Sequence, residues 1–110
     1  MNALEANLID LFQKKIYPVR ILFDTHITAI EHLEKEVEHY ILPGFVDAHV
    51  HIESSMLIPS EFARQAVQHG CVATVSDPHE IANVSGVKGI GFMFKSSLET
   101  PLHVHLMIPS

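Results

Sequence analysis

Two histidines separated by one residue, His49 and His51, are the side chains of this sequence whose types and spacing best suit chemistry. They stand in the segment DAHVHIESSM at 47–56, after Asp47 and before Glu53. Side chains alternate between the two faces of a strand, so Asp47, His49 and His51 are predicted to share one face. The residues between them and beside them are apolar: Val46, Ala48, Val50 and Ile52. A bare His-x-His pair is common and usually binds nothing, but a pair on a wholly polar face predicts a metal site.

A second group of metal-competent side chains follows in the segment DPHE at 77–80. It supplies Asp77, His79 and Glu80 directly after the apolar run CVATVS at 71–76, which is typical of a strand buried in a parallel sheet. The carboxyl ends of parallel strands meet at one edge, so this group is predicted to lie on the same rim as Glu53. Asp-Pro is also an ordinary turn starter, and the segment alone is therefore weak evidence.

The sequence holds another His-x-His pair, His103 and His105, in the run LHVHLMI at 102–108. No carboxylate flanks this pair within its predicted strand. Its histidines also come early in the strand, away from the end where active sites of such folds are built. We interpret the pair as structural.

The second part of the chain must position these groups, and its pattern alternates strands with helices. The predicted strands are 45–52, 71–76 and 102–108, the predicted helices are 59–70 and 86–98, and 77–84 is predicted to be a loop. This β-α-β-α-β order predicts an α/β fold with a parallel sheet and right-handed crossovers. A complete (β/α)8 barrel needs about 250 residues, so we expect a fragment that holds the first three strands and two helices of a barrel.

The first part of the chain reads as short strands separated by charged or turn residues. The predicted strands are 7–12, 18–23, 26–33 and 38–42, which together suggest a small antiparallel meander. We therefore divide the chain into a β segment at 1–42 and a partial barrel at 43–110.

Composition excludes several classes of partner. The 110 residues carry a formal net charge of −6 and no basic cluster, which argues against nucleic acid and against an anionic membrane surface. No apolar run approaches the roughly 18 residues of a membrane span. Cys71 is the only cysteine, which excludes an intrachain disulfide framework and fits a reducing cytoplasm.

At this point the residues resemble a known family. The run PGFVDAHVHIESSM at 43–56, followed by DPHEIANV at 77–84, closely resembles the bacterial type of adenine deaminase within the amidohydrolase superfamily. The PGF-x-D-x-H-x-H part at 43–51 is shared by many hydrolases of that superfamily, whereas HIESSM and DPHEIANV are narrower. His103 and His105 belong to no motif of the family.

The resemblance implies hydrolysis of adenine to hypoxanthine and ammonia, with adenine as the small-molecule substrate. It implies that His49 and His51 bind a divalent metal, manganese or iron and less often zinc. Glu53, Asp77, His79 and Glu80 would line the active site as catalytic candidates whose separate roles stay open. It further implies that 1–42 belongs to a composite β-sandwich, and that other metal ligands come from later strands, so we expect this chain alone to be inactive.

Two alternatives remain open at this level. One is another amidohydrolase, such as a cyclic-amide or N-acetyl-sugar hydrolase, against which HIESSM and DPHEIANV argue. The other is a non-catalytic metal-binding or assembly module that uses the same start of a fold. In either case the last strand of a partial barrel would present an unpaired edge, and we expect self-association.

Overall fold

Residues 1–109 are described by a computed structural model, and they fall into two units. The first unit is Met1–Pro43 and the second begins at Gly44. The strands of the first unit are β1 (Asn2–Asp10), β2 (Lys15–Phe23), β3 (Ile27–His32) and β4 (Tyr40–Ile41). The elements of the second are β5 (Phe45–Val50), α1 (Pro59–Ala66), β6 (Cys71–Ser76), α2 (His79–Ser97) and β7 (His103–Leu106). Within residues 1–109, no helix combines the length and the apolar character needed to cross a bilayer.

The first unit is one sheet with the strand order β3-β2-β1-β4. The predicted antiparallel meander is confirmed for β1, β2 and β3, but it is wrong for β4, which runs parallel to β1. The side-chain amide of Asn7 donates to the carbonyl of Val37 at 2.8 Å and so draws the segment before β4 alongside β1. β1 also ends earlier than predicted, because the Asp10 carboxylate accepts the N–H groups of Phe12 and Gln13 and turns the chain there.

The second unit is a parallel three-stranded sheet with the order β5-β6-β7. The predicted β-α-β-α-β order is confirmed. The apolar core of this unit consists of Ile52, Ala63, Met93 and Leu102, each at most 3 % exposed. Thr74 and Ser76 of β6 are fully buried, and they belong to the sheet face that the helices cover. The side chains that alternate with Thr74 and Ser76 in β6 point to the opposite face of the sheet.

Helix α2 corrects the prediction of a loop at 77–84, because the helix already begins at His79. The N–H of Ala82 donates to the carbonyl of Pro78 at 3.0 Å, so Asp-Pro precedes a helix instead of opening a longer turn. Proline lacks an N–H and its restricted φ suits the start of a helix. The helix is interrupted at Gly86, whose φ of 60° and ψ of −149° are essentially confined to glycine.

Strand β5 does not keep the strict alternation that the sequence predicts. Asp47 pairs with Thr74 and Val50 pairs with Ser76, so three residues of β5 span the same length as two of β6. This irregularity separates the face of Asp47 from that of His49 and His51. The apolar partners are also less buried than predicted, since Val46 is 59 % exposed and only Ile52 is fully buried.

Candidate metal centre

His49 and His51 lie side by side at the carboxyl end of β5. Their Nε2 atoms are 3.2 Å apart and their ring centroids are 5.0 Å apart. His51 follows the strand directly with an extended backbone, φ −105° and ψ 94°, which keeps its ring on the same side as that of His49. The two nitrogens are thus close enough to bind one ion.

The tautomer of His51 is fixed by its contact with the backbone. Its Nδ1 lies 3.0 Å from the carbonyl oxygen of Asp77. A carbonyl oxygen can only accept, so Nδ1 of His51 must carry the hydrogen. In the neutral ring the lone pair then resides on Nε2, the atom that faces His49. A backbone carbonyl that orients a histidine in this way is a common feature of metal sites.

Asp77 and His79 lie beside the histidine pair. Nδ1 of His79 lies 3.2 Å from Oδ2 of Asp77, and the His79 ring meets the His51 ring edge-on with centroids 4.7 Å apart. The other carboxylate oxygen of Asp77, Oδ1, is buried and has no hydrogen-bond partner among residues 1–109. A buried acceptor without a partner costs stability unless a ligand satisfies it.

His49, His51 and Asp77 together fit a divalent cation. Each offers one ligand atom, and these atoms all lie within 4.8 Å of one another. Two imidazole nitrogens and one carboxylate oxygen suit zinc, iron and manganese alike, and three protein ligands leave further positions for water or substrate. The structure therefore brings the predicted pair, His49 and His51, together with one of the four predicted catalytic residues.

Glu53 lies next to the DPHE segment, where it contacts the start of α2. Its Oε1 accepts the N–H of Ile81 at 3.2 Å, in the first turn of α2. The residue before that helix, Pro78, has no side chain that can cap it, so Glu53 satisfies a donor that the helix itself leaves open. Its Oε2 is buried and lacks a partner in the described part of the chain.

Glu80 is held by a contact on the outside of the same junction. The Ser54 hydroxyl donates to Oε1 of Glu80 at 2.8 Å. Two hydrogen bonds thus link the turn Ile52–Ser55, which follows β5, to the start of α2. In one of them Glu53 of the turn is the acceptor, and in the other Glu80 of α2 is the acceptor. This junction sets the distance between His51 and the DPHE segment, which is why the two motifs act as one structural group.

Sequence reasoning missed two contributions to the cluster. One is Ser54, whose hydroxyl holds Glu80, and the other is the backbone carbonyl of Asp77, which orients His51. Ser54 lies within the HIESSM segment, but nothing in the local pattern shows that its partner stands 26 residues away. A carbonyl contact leaves no trace in side-chain identity at all.

Comparisons with known proteins identify the family of the chain. Residues 40–110 match the model of the amidohydrolase family. The chain is 53 % identical over 108 residues to a protein named adenine deaminase from Borreliella afzelii, covering 97 % of this chain and 20 % of the relative. Proteins of the same name from Sulfurovum sp. and Methanosarcina acetivorans are 56 % and 61 % identical over 99 and 84 residues. These matches cover 89 % and 76 % of this chain but 19 % and 15 % of the relatives, so the chain spans about a fifth or less of each relative's length.

Proposed function

The chain belongs to the amidohydrolase family, and from this we propose that it is the N-terminal part of an adenine deaminase, which hydrolyses adenine to hypoxanthine and ammonia. The observation that carries the proposal is the ligand cluster of His49, His51 and Asp77, formed where β5 and β6 end. The three relatives are named adenine deaminase, and the substrate in the proposal is taken from that name.

The proposed architecture is the start of a (β/α)8 metal-dependent hydrolase barrel, with residues 1–42 as part of a composite β-sandwich. The parallel order β5-β6-β7 with intervening helices supports the barrel. Active sites of such barrels lie at the carboxyl ends of the strands, where this cluster lies. A cytoplasmic location is part of the proposal and rests on the free thiol of Cys71.

In this proposal His49, His51 and Asp77 hold a divalent cation, manganese or iron first and zinc as a third candidate. Such a cation lowers the pKa of a bound water and supplies hydroxide near neutral pH. The residues of the chain orient that chemistry. The Asp77 carbonyl directs Nε2 of His51 toward the ion, and the Asp77 carboxylate keeps a hydrogen on Nδ1 of His79. His79 then presents Nε2 as a proton acceptor beside the cluster.

We further propose that the 110-residue chain alone does not deaminate adenine. His49 is exposed, so its cluster is open to water instead of enclosing a substrate. Catalytic metal sites of hydrolases work in shaped cavities that exclude bulk water. The remaining walls and ligands would come from the part of such an enzyme that this chain does not contain.

A chimera tests the function directly. The matching segment of the Borreliella afzelii protein is replaced by this chain, and hypoxanthine and ammonia are measured after incubation with adenine and Mn²⁺. We expect turnover by the chimera and a loss of about 1,000-fold or more when His49→Ala and His51→Ala are introduced together. A control that carries His26→Ala and His69→Ala removes two exposed histidines outside the cluster and should keep its activity.

The outcome that would contradict the proposal is a folded, metal-loaded chimera that leaves adenine unchanged. Equal turnover by the His49→Ala/His51→Ala chimera would also contradict it, because the activity would then not depend on this cluster. Circular dichroism of each protein separates loss of activity from loss of fold.

We also propose that the chain associates with other copies of itself. Apolar side chains on α2 and after β7 stand in solvent: Val84 and Val87 are 83 % and 84 % exposed and Ile108 is 95 % exposed. Apolar surface next to an open strand favours association with another chain. Light scattering of the purified chain should give a mass above 12.3 kDa, and a monomer at high concentration would contradict this part.

A further inference from the structure

The second His-x-His pair lies on the sheet face opposite the helices. Leu106 of β7 is less exposed than the two histidines of its strand. It pairs with Ser76, which is fully buried. The side chains that alternate with it in β7 therefore point to the other face, and His103 and His105 are both exposed.

The strand register places His105 level with His49. His105 pairs with Val75 of β6. On the other side of β6, Asp47 of β5 pairs with Thr74 and Val50 pairs with Ser76. His49 lies between Asp47 and Val50, and it is therefore level with Val75. Val50 shares the helix-covered face with Ser76, so His49 and His51 lie on the opposite face, as His105 does. The backbones of His49 and His105 are thus two strand spacings apart, about 9.5 Å.

His103 provides the contrast within the same strand. It pairs with Ala73, which in turn pairs with Val46, so the side chains in its row are apolar. His105 is one row nearer to the carboxyl ends of the strands, where the cluster of His49, His51 and Asp77 lies. His103 and His105 are both exposed. The row of His103 holds apolar side chains, whereas His105 is level with His49 of the cluster.

We propose that His105 belongs to the cation site, where it contacts the ion held by His49, His51 and Asp77 through one ion-bound water. The inference rests on the cation site of the proposed function. A direct nitrogen–metal bond is about 2.0–2.1 Å long, and the ligand atoms that lie within 4.8 Å of one another belong to His49, His51 and Asp77 and do not include those of His105. One bridging water extends that reach without loss of specificity. His103, one row lower, takes no part.

Calorimetric titration of the purified chain with Mn²⁺ and Zn²⁺ tests this assignment. We expect His105→Ala to weaken cation binding about 10- to 100-fold, the usual effect of a residue that contacts a site's ligands. His103→Ala should leave the affinity unchanged within about twofold. His105→Gln gives a second variant that keeps a polar side chain of similar length if alanine disturbs β7.

Nuclear magnetic resonance of the unmodified chain gives a readout that requires no folded variant. Substoichiometric Mn²⁺ should broaden the ring signals of His105 at lower concentration than those of His103, because paramagnetic broadening falls steeply with distance. Equal broadening of the two rings, or equal affinity of the wild-type chain and His105→Ala, would overturn the inference. An unmodified chain that binds no cation would overturn it together with the proposed site.

The two proposals fail separately. If His49→Ala/His51→Ala abolishes binding while His105→Ala has no effect, the proposed function stands and the assignment of His105 is wrong. If the chimera deaminates adenine without any dependence on His49 and His51, the proposed site fails for reasons that do not involve β7.

Discussion

Two carboxylates of the first unit, those of Glu5 and Asp10, have their donors within that unit. Glu5 accepts hydrogen bonds from Lys35 and from Arg20, the latter at 2.9 Å, and these contacts lower its pKa, with the Lys35 bond as the largest cause. Asp10 accepts the Gln13 N–H, which lowers its pKa most, and the Tyr17 hydroxyl at 2.9 Å. These groups close a turn and link neighbouring strands, so their charges serve the fold.

Two carboxylates of the second unit, those of Asp77 and Glu53, each keep one oxygen without a partner within residues 1–109. Oδ1 of Asp77 and Oε2 of Glu53 are buried and accept no hydrogen bond from the residues that the structure describes. Asp77 neighbours two imidazoles, those of His51 and His79, whose ring centroids are 4.7 Å apart. Such an arrangement costs stability, because buried acceptors lose water without gaining a donor.

The difference separates structural charge from functional charge in one chain. Where every oxygen of an acid has a donor, as at Asp10, nothing further is needed for the fold. At Asp77 one carboxylate oxygen is buried without a hydrogen-bond donor in the part of the chain that the structure describes, and the residue lies beside the imidazoles of His49 and His51. A bound cation would satisfy that oxygen. Strained or unsatisfied groups of this kind are typical of sites that trade stability for binding.

The comparison is tested most strongly by making the same substitution in both units. Asp77→Asn removes a charged ligand, so we expect cation affinity to fall about 100-fold, while the free energy of unfolding in a chelator changes by no more than about 1 kcal/mol. Asp10→Asn should do the reverse, with unchanged cation affinity and a lower melting midpoint. Titration calorimetry gives the affinity, and thermal unfolding gives the midpoint.

Tyrosine fluorescence can assign the loss to the correct unit. The chain has two tyrosines and no tryptophan, and both Tyr17 and Tyr40 lie in the first unit. A fall in cation affinity with Asp10→Asn, or unchanged affinity with Asp77→Asn, would remove the distinction between the two carboxylates.

The next largest effect concerns the backbone of the second unit. Gly86→Ala places a Cβ on a residue with φ 60° and ψ −149°, so we expect a loss of about 1–3 kcal/mol. Gly91→Ala in the same helix is the matched control. No atom lies within 4 Å of its added Cβ, so it should stabilise the helix by about 0.5–1 kcal/mol.

Far-ultraviolet circular dichroism follows this pair well, because both helices of the described residues belong to the second unit. The cation affinity of folded Gly91→Ala should equal that of the unmodified chain. If Gly86→Ala were as stable as Gly91→Ala, the interruption of α2 would not be a fixed feature of the fold.

Local patterns predicted the groups of the site better than they predicted the fold that connects them. The spacing of His49 and His51 and the DPHE segment are short-range features, so the sequence could show them directly. Strand register is fixed by partners that lie far away in the chain. It determines the extra residue in β5, the parallel pairing of β4 with β1, and the position of His105 level with His49. The sequence favours a structural role for His105, because no acidic residue flanks it.

A smaller effect is expected from acid. The pKa values of Glu5 and Asp10 lie below their ordinary values of 4.5 and 3.8 in the folded chain. A lowered folded pKa means that the stabilisation is present above the unfolded value and is lost as the pH falls through the folded value. The first unit should therefore lose stability from about pH 4.5 downward.

Unfolding by urea at a series of pH values, followed by tyrosine fluorescence, measures this dependence. A Glu5→Gln/Asp10→Asn variant should show a flatter profile over the same range. Cation binding in the second unit should also weaken with acid, but for another reason: a ring nitrogen that carries a proton cannot bind a metal. Identical acid profiles for the variant and the unmodified chain would show that these two carboxylates add nothing to the first sheet.

The smallest expected effect isolates one contact of the first unit. The Tyr17 hydroxyl donates to Oδ2 of Asp10, and this bond raises the pKa of Tyr17 above 10.0, because loss of the proton would break the bond and bring two negative charges together. Asp10→Asn should return that pKa toward 10.0. The phenolate absorbance of a Tyr40→Phe background, in which Tyr17 is the only tyrosine, measures it. Addition of Mn²⁺ should not move the value, since Asp10 already has its donors; a shift would mean that the first unit also holds an acid available to a cation.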